Sequence, residues 1–368
     1  MDSVKVWDLP TRIFHWSLAV LVLFAALSGD DSPEWWLGLH IIAGYAIFAL
    51  LIWRLVWGFF GPGPSRFGDF VRPPREIVDH LKATLARRGK PWLGHNPAGG
   101  AMIVALLITL LLIVVSGVIT LGGEENQGVA AAWVPFAVGK AAKEVHEFLV
   151  GLLGLLVVGH VGGVILESLL HRENLIRSMI HGRRLAVPEA HPLHPAPARP
   201  LSAVLALAAL LGGLWWVGSA LSAVPSAKIP AHYALDPVYR EACGECHWAF
   251  HPSLLSRSGW EHLMANLSDH YGENAALPPD KAAVAGAFLQ AHAAEAWDTE
   301  PARKLNRDGS GLRLTQTPYF RKKHRELNEA AWHHAEVGSP ANCPACHLDA
   351  ESGRFDDQAI RLPKGIQS

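Results

Sequence analysis

Five long apolar runs, separated by polar connections, set the frame of this chain. They cover about residues 13–28, 36–60, 99–121, 143–171 and 201–224. A helix crosses the apolar layer of a bilayer with about 20 residues, so each run predicts a membrane-spanning helix. Aromatic residues at both ends of the second run match interfacial belts. Between the second and third runs lies a stretch rich in proline and arginine, residues 61–97. Within it, Ile77, Val78, Leu81 and Leu85 recur at helical spacing, which predicts a short amphipathic helix over 74–88 on the membrane surface. Beyond residue 224 the long apolar runs stop. Residues 225–235 read as a linker, and the rest reads as a water-soluble part.

The first run also matches a signal peptide, with a basic start, an apolar centre and small residues at Ala25, Ala26 and Ser28. His15 and Trp16, just past Arg12, suit a retained helix better. Cleavage would remove His15. Arg12 and Trp16 themselves read as an interface anchor.

Composition agrees with a membrane part joined to a soluble part: 368 residues, 50% hydrophobic, mean hydropathy +0.18. The net charge of −1 gives no electrostatic case for nucleic acid. Lysine and arginine set the orientation. Fourteen lie in the N-terminal segment and the second and fourth connections, against two, Lys140 and Lys143, on the opposite side. The N-terminus is therefore expected in the cytoplasm. Five spans then place residue 225 onward in the periplasm of a Gram-negative cell, with the bundle in the inner membrane.

The fourth run, which the third supports with no ionisable residue of its own, carries His146 and His160. They are fourteen residues apart, close to four helical turns, so they share one face about 21 Å apart. An intramembrane histidine is by default a functional candidate. Two on one face at opposite depths fit a helix that gives one axial ligand to each of two stacked haems. The alternative is a pair of interhelical hydrogen bonds, or an interfacial His146 beside Lys143 and Glu144. Gly151, Gly154, Gly159, Gly162 and Gly163 let a flat macrocycle or a neighbouring helix come close. Topology puts His15 at the inner face and His40 at the outer, so depth pairs His40 with His146 and His15 with His160. Each pair can clamp one b-type haem, as facing helices of bundles commonly do.

All four cysteines fall in two copies of one pattern, Cys243-Gly-Glu-Cys246-His247 and Cys343-Pro-Ala-Cys346-His347. Cys-x-x-Cys-His is the attachment signature of c-type haem, with two thioethers and a proximal histidine. One copy alone could be a redox dithiol or half a zinc site. Two copies, both on the expected outer side where attachment takes place, point to two covalent haems. For the distal ligands the choice falls on His270, at the end of a helix read in SGWEHLMANLSDHYGENAAL, and His324, in TPYFRKKHREL. Which haem each serves is left open, and Met264 is the alternative. His251 is too near His247 to reach across the same haem.

With these residues in view, residues 1 to about 200 resemble the bacterial di-haem cytochrome b561 family, related to the b-type cytochrome subunits of nickel–iron hydrogenases. VWDLPTRIFHW, LGLHIIAGY, WRLVWGFFGP and the His146–His160 spacing carry the resemblance. It implies His15, His40, His146 and His160 as iron ligands of two b haems. Residues from about 236 to 368 resemble the periplasmic di-haem cytochrome c family through CGECH, LLSRSGWEHLMANLSDHYGENAAL and SPANCPACHLDAESGRFD. There His247 and His347 are proximal ligands, with His270 and His324 in the distal role.

The expected fold is mainly α. A four-helix haem-binding bundle (1–200) is followed by a fifth tether helix and linker (201–235) and a mostly α, c-type cytochrome domain (236–368). The expected activity is electron transfer between the membrane quinone pool and a periplasmic cytochrome or oxidoreductase. Two other readings follow from the first resemblance. One is a superoxide oxidase passing electrons to quinone, against which an outer rim of Asp30, Asp31, Glu34, Glu124, Glu125 and Glu144 would repel the anion. The other is a haem anchor subunit wiring a periplasmic oxidoreductase to quinone.

Overall fold

The computed structural model describes residues 3–29, 36–86, 88, 91–185, 190–191, 196–224, 233–305 and 312–366, and only the backbone of Leu85 and Gln358. Asp30, Asp31 and Glu34 of the acidic rim, His232 and most of the 225–235 linker lie outside the described residues.

Helix α1, Leu9–Leu27, starts where Asp8 caps it by accepting from Thr11 N at 2.7 Å, with a proline in the first turn. The Asp8 carboxylate also accepts from Trp57 Nε1 at 3.2 Å and Ser65 Oγ at 2.6 Å, so one cap ties three segments together. Helix α2 is Leu37–Phe60. Helix α3, Pro74–Leu85, is the expected amphipathic helix and ends three residues earlier than its apolar spacing suggests. Helix α4, Pro97–Gly123, is capped by Asn96, whose side chain accepts from Gly99 N at 2.6 Å. Helix α5 is Phe136–Leu170 and begins seven residues ahead of the apolar run. At 1.5 Å per residue its 35 residues extend about 52 Å, well beyond the apolar layer. Helix α6, Leu175–His181, ends at Gly182, whose φ of 80° is the left-handed turn that glycine adopts freely. Strand β1, Ser3–Lys5, pairs antiparallel with β2, Arg183–Leu185, a contact between residues some 180 apart that no local pattern announces. Arg184 of β2 is buried and binds Glu173 at 2.7 Å. Helix α7 is Pro200–Ser222.

Five of these helices, α1, α2, α4, α5 and α7, are long and apolar enough to cross a membrane. They are also apolar on the outside, as lipid requires: Val20, Leu155, Val158, Trp215 and Trp216 are all exposed. Contacts divide the chain into two units. In the first, Ile47 and Leu51 of α2, Leu110 of α4 and Leu153 of α5 form an apolar layer with Leu18 and Leu21 of α1. Helix α7 reaches this unit through Ala203, which packs on Val56 and Trp57.

The second unit holds residues 219–368 together with 118–142, the connection between α4 and α5 and its flanking helix ends. Its helices are short: α8 Pro237–Gly244, α9 Arg257–Ala265, α10 Pro279–Ala291, α11 Glu300–Lys304, α12 Pro318–Lys323 and α13 Glu329–Trp332. The core is Tyr239, Leu254, Leu255, Trp260, Ala285 and Leu289. Short helices joined by 3₁₀ turns around a modest core suit a domain built about large prosthetic groups. The helix read in residues 258–277 ends at Ala265, where Asn266 closes it and a 3₁₀ turn follows, so His270 stands in a turn.

Residues 118–142 are tied into this unit by polar contacts. Asp298 accepts from Phe136 N at 2.9 Å, which caps α5 from 162 residues away. Lys304 lies 3.9 Å from Glu124, and Arg354 donates to Asn126 O at 3.2 Å. Glu124 is 8% exposed, so it does not form an open acidic rim. The Glu125 carboxyl is held well above the usual carboxylate range by burial, and further by the nearby charges of Asp357 and Glu300.

Candidate functional site

In the first unit the ring centres of His15 (α1) and His160 (α5) are 6.3 Å apart, and those of His40 (α2) and His146 (α5) 6.2 Å apart. Each pair comes from two different helices, and the apolar layer described above occupies the stretch between the two positions on α2 and α5. The rings are aimed by backbone groups. His40 Nδ1 donates to Ala25 O at 3.1 Å, and His146 Nδ1 to Ile113 O at 2.9 Å. A carbonyl can only accept, so the proton sits on Nδ1 and Nε2 becomes the metal-binding nitrogen of a neutral imidazole. The His146 ring lies against Gly117, where a side chain would press on it. On the ligand helices, an added Cβ at Gly44, Gly151, Gly154, Gly162 or Gly163 would meet nothing within 4 Å, while Gly159 packs on Met102.

The second unit repeats this geometry twice. His247 faces His270 at 6.2 Å, and His347 faces His324 at 6.0 Å. His247 Nδ1 donates to Trp248 O at 2.7 Å and His324 Nδ1 to Phe320 O at 2.8 Å. The CPACH turn closes on itself, His347 N donating to Cys343 O at 2.9 Å. None of the four cysteines is paired in a disulfide. Burial pushes Cys243 up to about 11 and Cys343 up to about 12. Among the described residues no group of three or more His, Cys, Asp or Glu could hold a metal ion by itself. A cavity of about 560 Å³ opens beside the first motif, lined by Cys246, His247, Trp248, Arg240, Val337 and Asn342 among others.

These distances test whether haem iron fits. A metal–imidazole bond of about 2 Å and about 1.1 Å from nitrogen to ring centre place two trans imidazoles about 6.3 Å apart. All four pairs lie between 6.0 and 6.3 Å. The protein thus holds four pairs of imidazoles at the spacing of a bis-histidine iron site. In each Cys-x-x-Cys the second thiol stands one residue, and the first four residues, from one member of a pair.

The remaining histidines fall elsewhere. His251 is fully buried, its Nδ1 accepting from Ser253 N at 3.2 Å and its ring edge-on to Trp297. His292 donates to Phe288 O, and Met264 packs on the apolar core. His262 and His333 are exposed, and His334 is half-buried. Arg12 donates to Ile180 O, which makes it a tie between α1 and α6. Three features went unread in the sequence. Phe250, Trp248 and Phe355 form a run of rings from His247 to His347, with centre distances of 5.1, 5.6, 6.5 and 5.4 Å. Phe355 adopts φ 53°, a strained setting for a bulky residue. The third feature is the buried arginine of α2, Arg54. Only the run WRLVWG could have flagged it.

A family model described as prokaryotic cytochrome b561 matches residues 6–182, and one described as dihaem cytochrome c matches residues 239–355. The probable Ni/Fe-hydrogenase B-type cytochrome subunit of Bradyrhizobium diazoefficiens is 26% identical over 215 residues, 50% of this chain and 86% of that protein. The probable Ni/Fe-hydrogenase 1 B-type cytochrome subunit of Escherichia coli is 26% identical over 218 residues, 50% of this chain and 91% of that one. Among solved structures, a dihaem cytochrome c from Rhodobacter sphaeroides is 34% identical, with 33% of this chain and 98% of that one covered and a TM-score of 0.29. A dihaem type c cytochrome from Shewanella baltica is 30% identical, with 36% and 96% covered and a TM-score of 0.29.

Proposed function

Residues 6–182 belong to the prokaryotic cytochrome b561 family and residues 239–355 to the dihaem cytochrome c family, and from that premise we propose that this electron-transfer protein exchanges electrons between the membrane quinone pool and a soluble periplasmic partner. The chain is a multi-pass membrane protein, and its two parts are of families that bind b-type and c-type haem.

The observation that carries the reading is the fourfold recurrence of paired imidazoles at 6.0–6.3 Å. His15 with His160 and His40 with His146 would hold two b haems. His247 with His270 and His347 with His324 would hold two c haems, bonded through Cys243, Cys246, Cys343 and Cys346. Bound there, haem would supply one-electron chemistry, and a pair of histidines on its iron would leave no open site, which favours electron transfer over oxygen chemistry. The residues set the conditions for it. Ala25 O and Ile113 O hold the His40 and His146 rings in one tautomer and orientation, as ligand-orienting carbonyls do. The layer of Ile47, Leu51, Leu110 and Leu153 excludes water between the two membrane pairs. Phe250, Trp248 and Phe355 fill the space between the two proximal histidines with packed rings. An inner-membrane location with a cytoplasmic N-terminus and periplasmic C-terminal part follows from the lysine and arginine asymmetry.

Anaerobic stopped-flow mixing with a quinol, following b and c absorption bands separately, tests this. The expected order is b reduction followed by c reduction. No reduction by quinol, with rapid reduction by superoxide or a reduced periplasmic donor, overturns it. A second reading has one observation in its favour: the relatives similar to residues 6–182 are probable hydrogenase subunits. In that case a catalytic chain co-purifies with this one.

A further inference from the structure

Arg54 follows His40 by fourteen residues on α2, so the two share a face about 21 Å apart. The same spacing separates His146 and His160 on α5. His40 is level with His146, since their rings face each other. Arg54 is therefore level with His160, at the depth of the inner pair.

It is 4% exposed, and its Nη1 is buried without a hydrogen-bond partner. No carboxylate among the described residues lies within ion-pair distance of it. Asp8, on the same end of the bundle, is committed to Thr11, Trp57 and Ser65. What holds the guanidinium is aromatic: Phe67 at 5.0 Å and Phe70 at 5.5 Å from ring centre to Cζ. This cradle is built. Phe67 lies over Gly58, where any side chain would run into its ring, and the Phe70 backbone is seated on Gly100 in the same way. Phe70 also packs on His95 at 4.9 Å. His95 in turn feels the charges of Arg54 and His160, which links the arginine to the inner pair. A second buried nitrogen without a partner, His95 Nδ1, stands in the same place.

Asp8 is the one carboxylate whose charge reaches Arg54, and it does so from beyond ion-pair distance while its oxygens are taken by Thr11, Trp57 and Ser65. A cation in a spanning helix with an aromatic cradle and an unpartnered Nη1 is electrostatically incomplete, and such residues pair with an anion. The guanidinium fork matches a carboxylate. We propose that Arg54 is the counter-charge for a haem propionate at the His15–His160 site and holds that haem's potential above the value it would have without the cation. This rests on the reading of His15 and His160 as iron ligands.

The test uses the full-length, membrane-purified protein. Haem counting comes first, with two b haems per chain expected in the wild type and one in H160A. A wild type with one b haem sinks the ligand reading, independently of Arg54. Redox titration of R54Q and R54K follows, the inner couple being the one that H160A lacks. In R54Q the reduced-to-oxidised ratio of the inner haem at its native midpoint falls at least tenfold, a drop of about 59 mV for one electron. R54K, which keeps the charge, moves it less, and the outer couple stays put in both. An inner couple unmoved in R54Q, or moved equally by R54Q and R54K, overturns the proposal. Should R54Q not retain both b haems, R54K decides by infrared redox-difference spectra with haem carrying ¹³C at its propionates. A shifted inner carboxylate band supports the pairing, and an unshifted one removes it.

Discussion

An imidazole is ready to bind iron through one nitrogen when its proton is kept on the other, and single carbonyl contacts fix that proton here. His324 Nδ1 donates to Phe320 O, one turn back, at the end of α12. The segments that carry His270 and His324 singled these two out, but left open which of His247 and His347 each would face. The structure sets His270 opposite His247 and His324 opposite His347. Replacement of His324 by alanine is expected to leave the Cys343–Cys346 haem attached and turn about half of the c-type signal from low to high spin, because one axial position opens. The H270A variant does the same to the other half. Visible and paramagnetic resonance spectra of the two variants check this. Identical changes in both, or none, contradict the assignment.

Among the elements, the turn at Gly353 shows how a distant segment fixes a buried group. Its φ is 69°, and a side chain there would run into the His251 ring. Gly353→Ala is therefore expected to destabilise the C-terminal unit by about 2 kcal/mol or more, from strained backbone and displaced ring together. Thermal unfolding followed through the tryptophans measures it, and an unchanged midpoint removes the contact from the account. The same ring gives a pH dependence. Burial, with the charge of His292 behind it, lowers His251 to about 3, so the folded unit keeps it neutral. Unfolded, it titrates near 6.5. Stability is then full above about pH 6.5 and declines as pH falls towards 3, since only the unfolded chain takes up the proton. Replacement by glutamine flattens that slope in melting curves between pH 7 and 5.

At the scale of the whole molecule, the charge pattern makes a claim about sides. The N-terminal segment and the two basic connections hold fourteen lysines and arginines against two, Lys140 and Lys143, in the first turns of α5, and an odd number of spans separates the termini. Alkaline phosphatase fused after residue 224 is expected to be active and after residue 88 inactive, because that enzyme matures only outside the cytoplasm. The reverse pattern inverts the orientation and the route of electrons with it. The two membrane histidine pairs sit in one bundle, yet each pair joins α5 to a different helix, α1 or α2. The third run, empty of ionisable residues, supplies carbonyls and packing atoms instead of ligands, from Ile113 to Gly117.

Sequence alone determined the five apolar spans, the two Cys-x-x-Cys-His motifs and the level at which His15 meets His160 and His40 meets His146. Depth in a membrane is one coordinate, and helical rise converts residue number into it directly. Tertiary structure decided everything that depends on contacts between distant residues. Asp298 caps α5 across 162 residues, β1 finds β2, Gly353 presses on His251, and Arg54 is left facing two phenyl rings with an unpartnered nitrogen. No local pattern encodes those contacts, because each exists only once packing has brought its partners together.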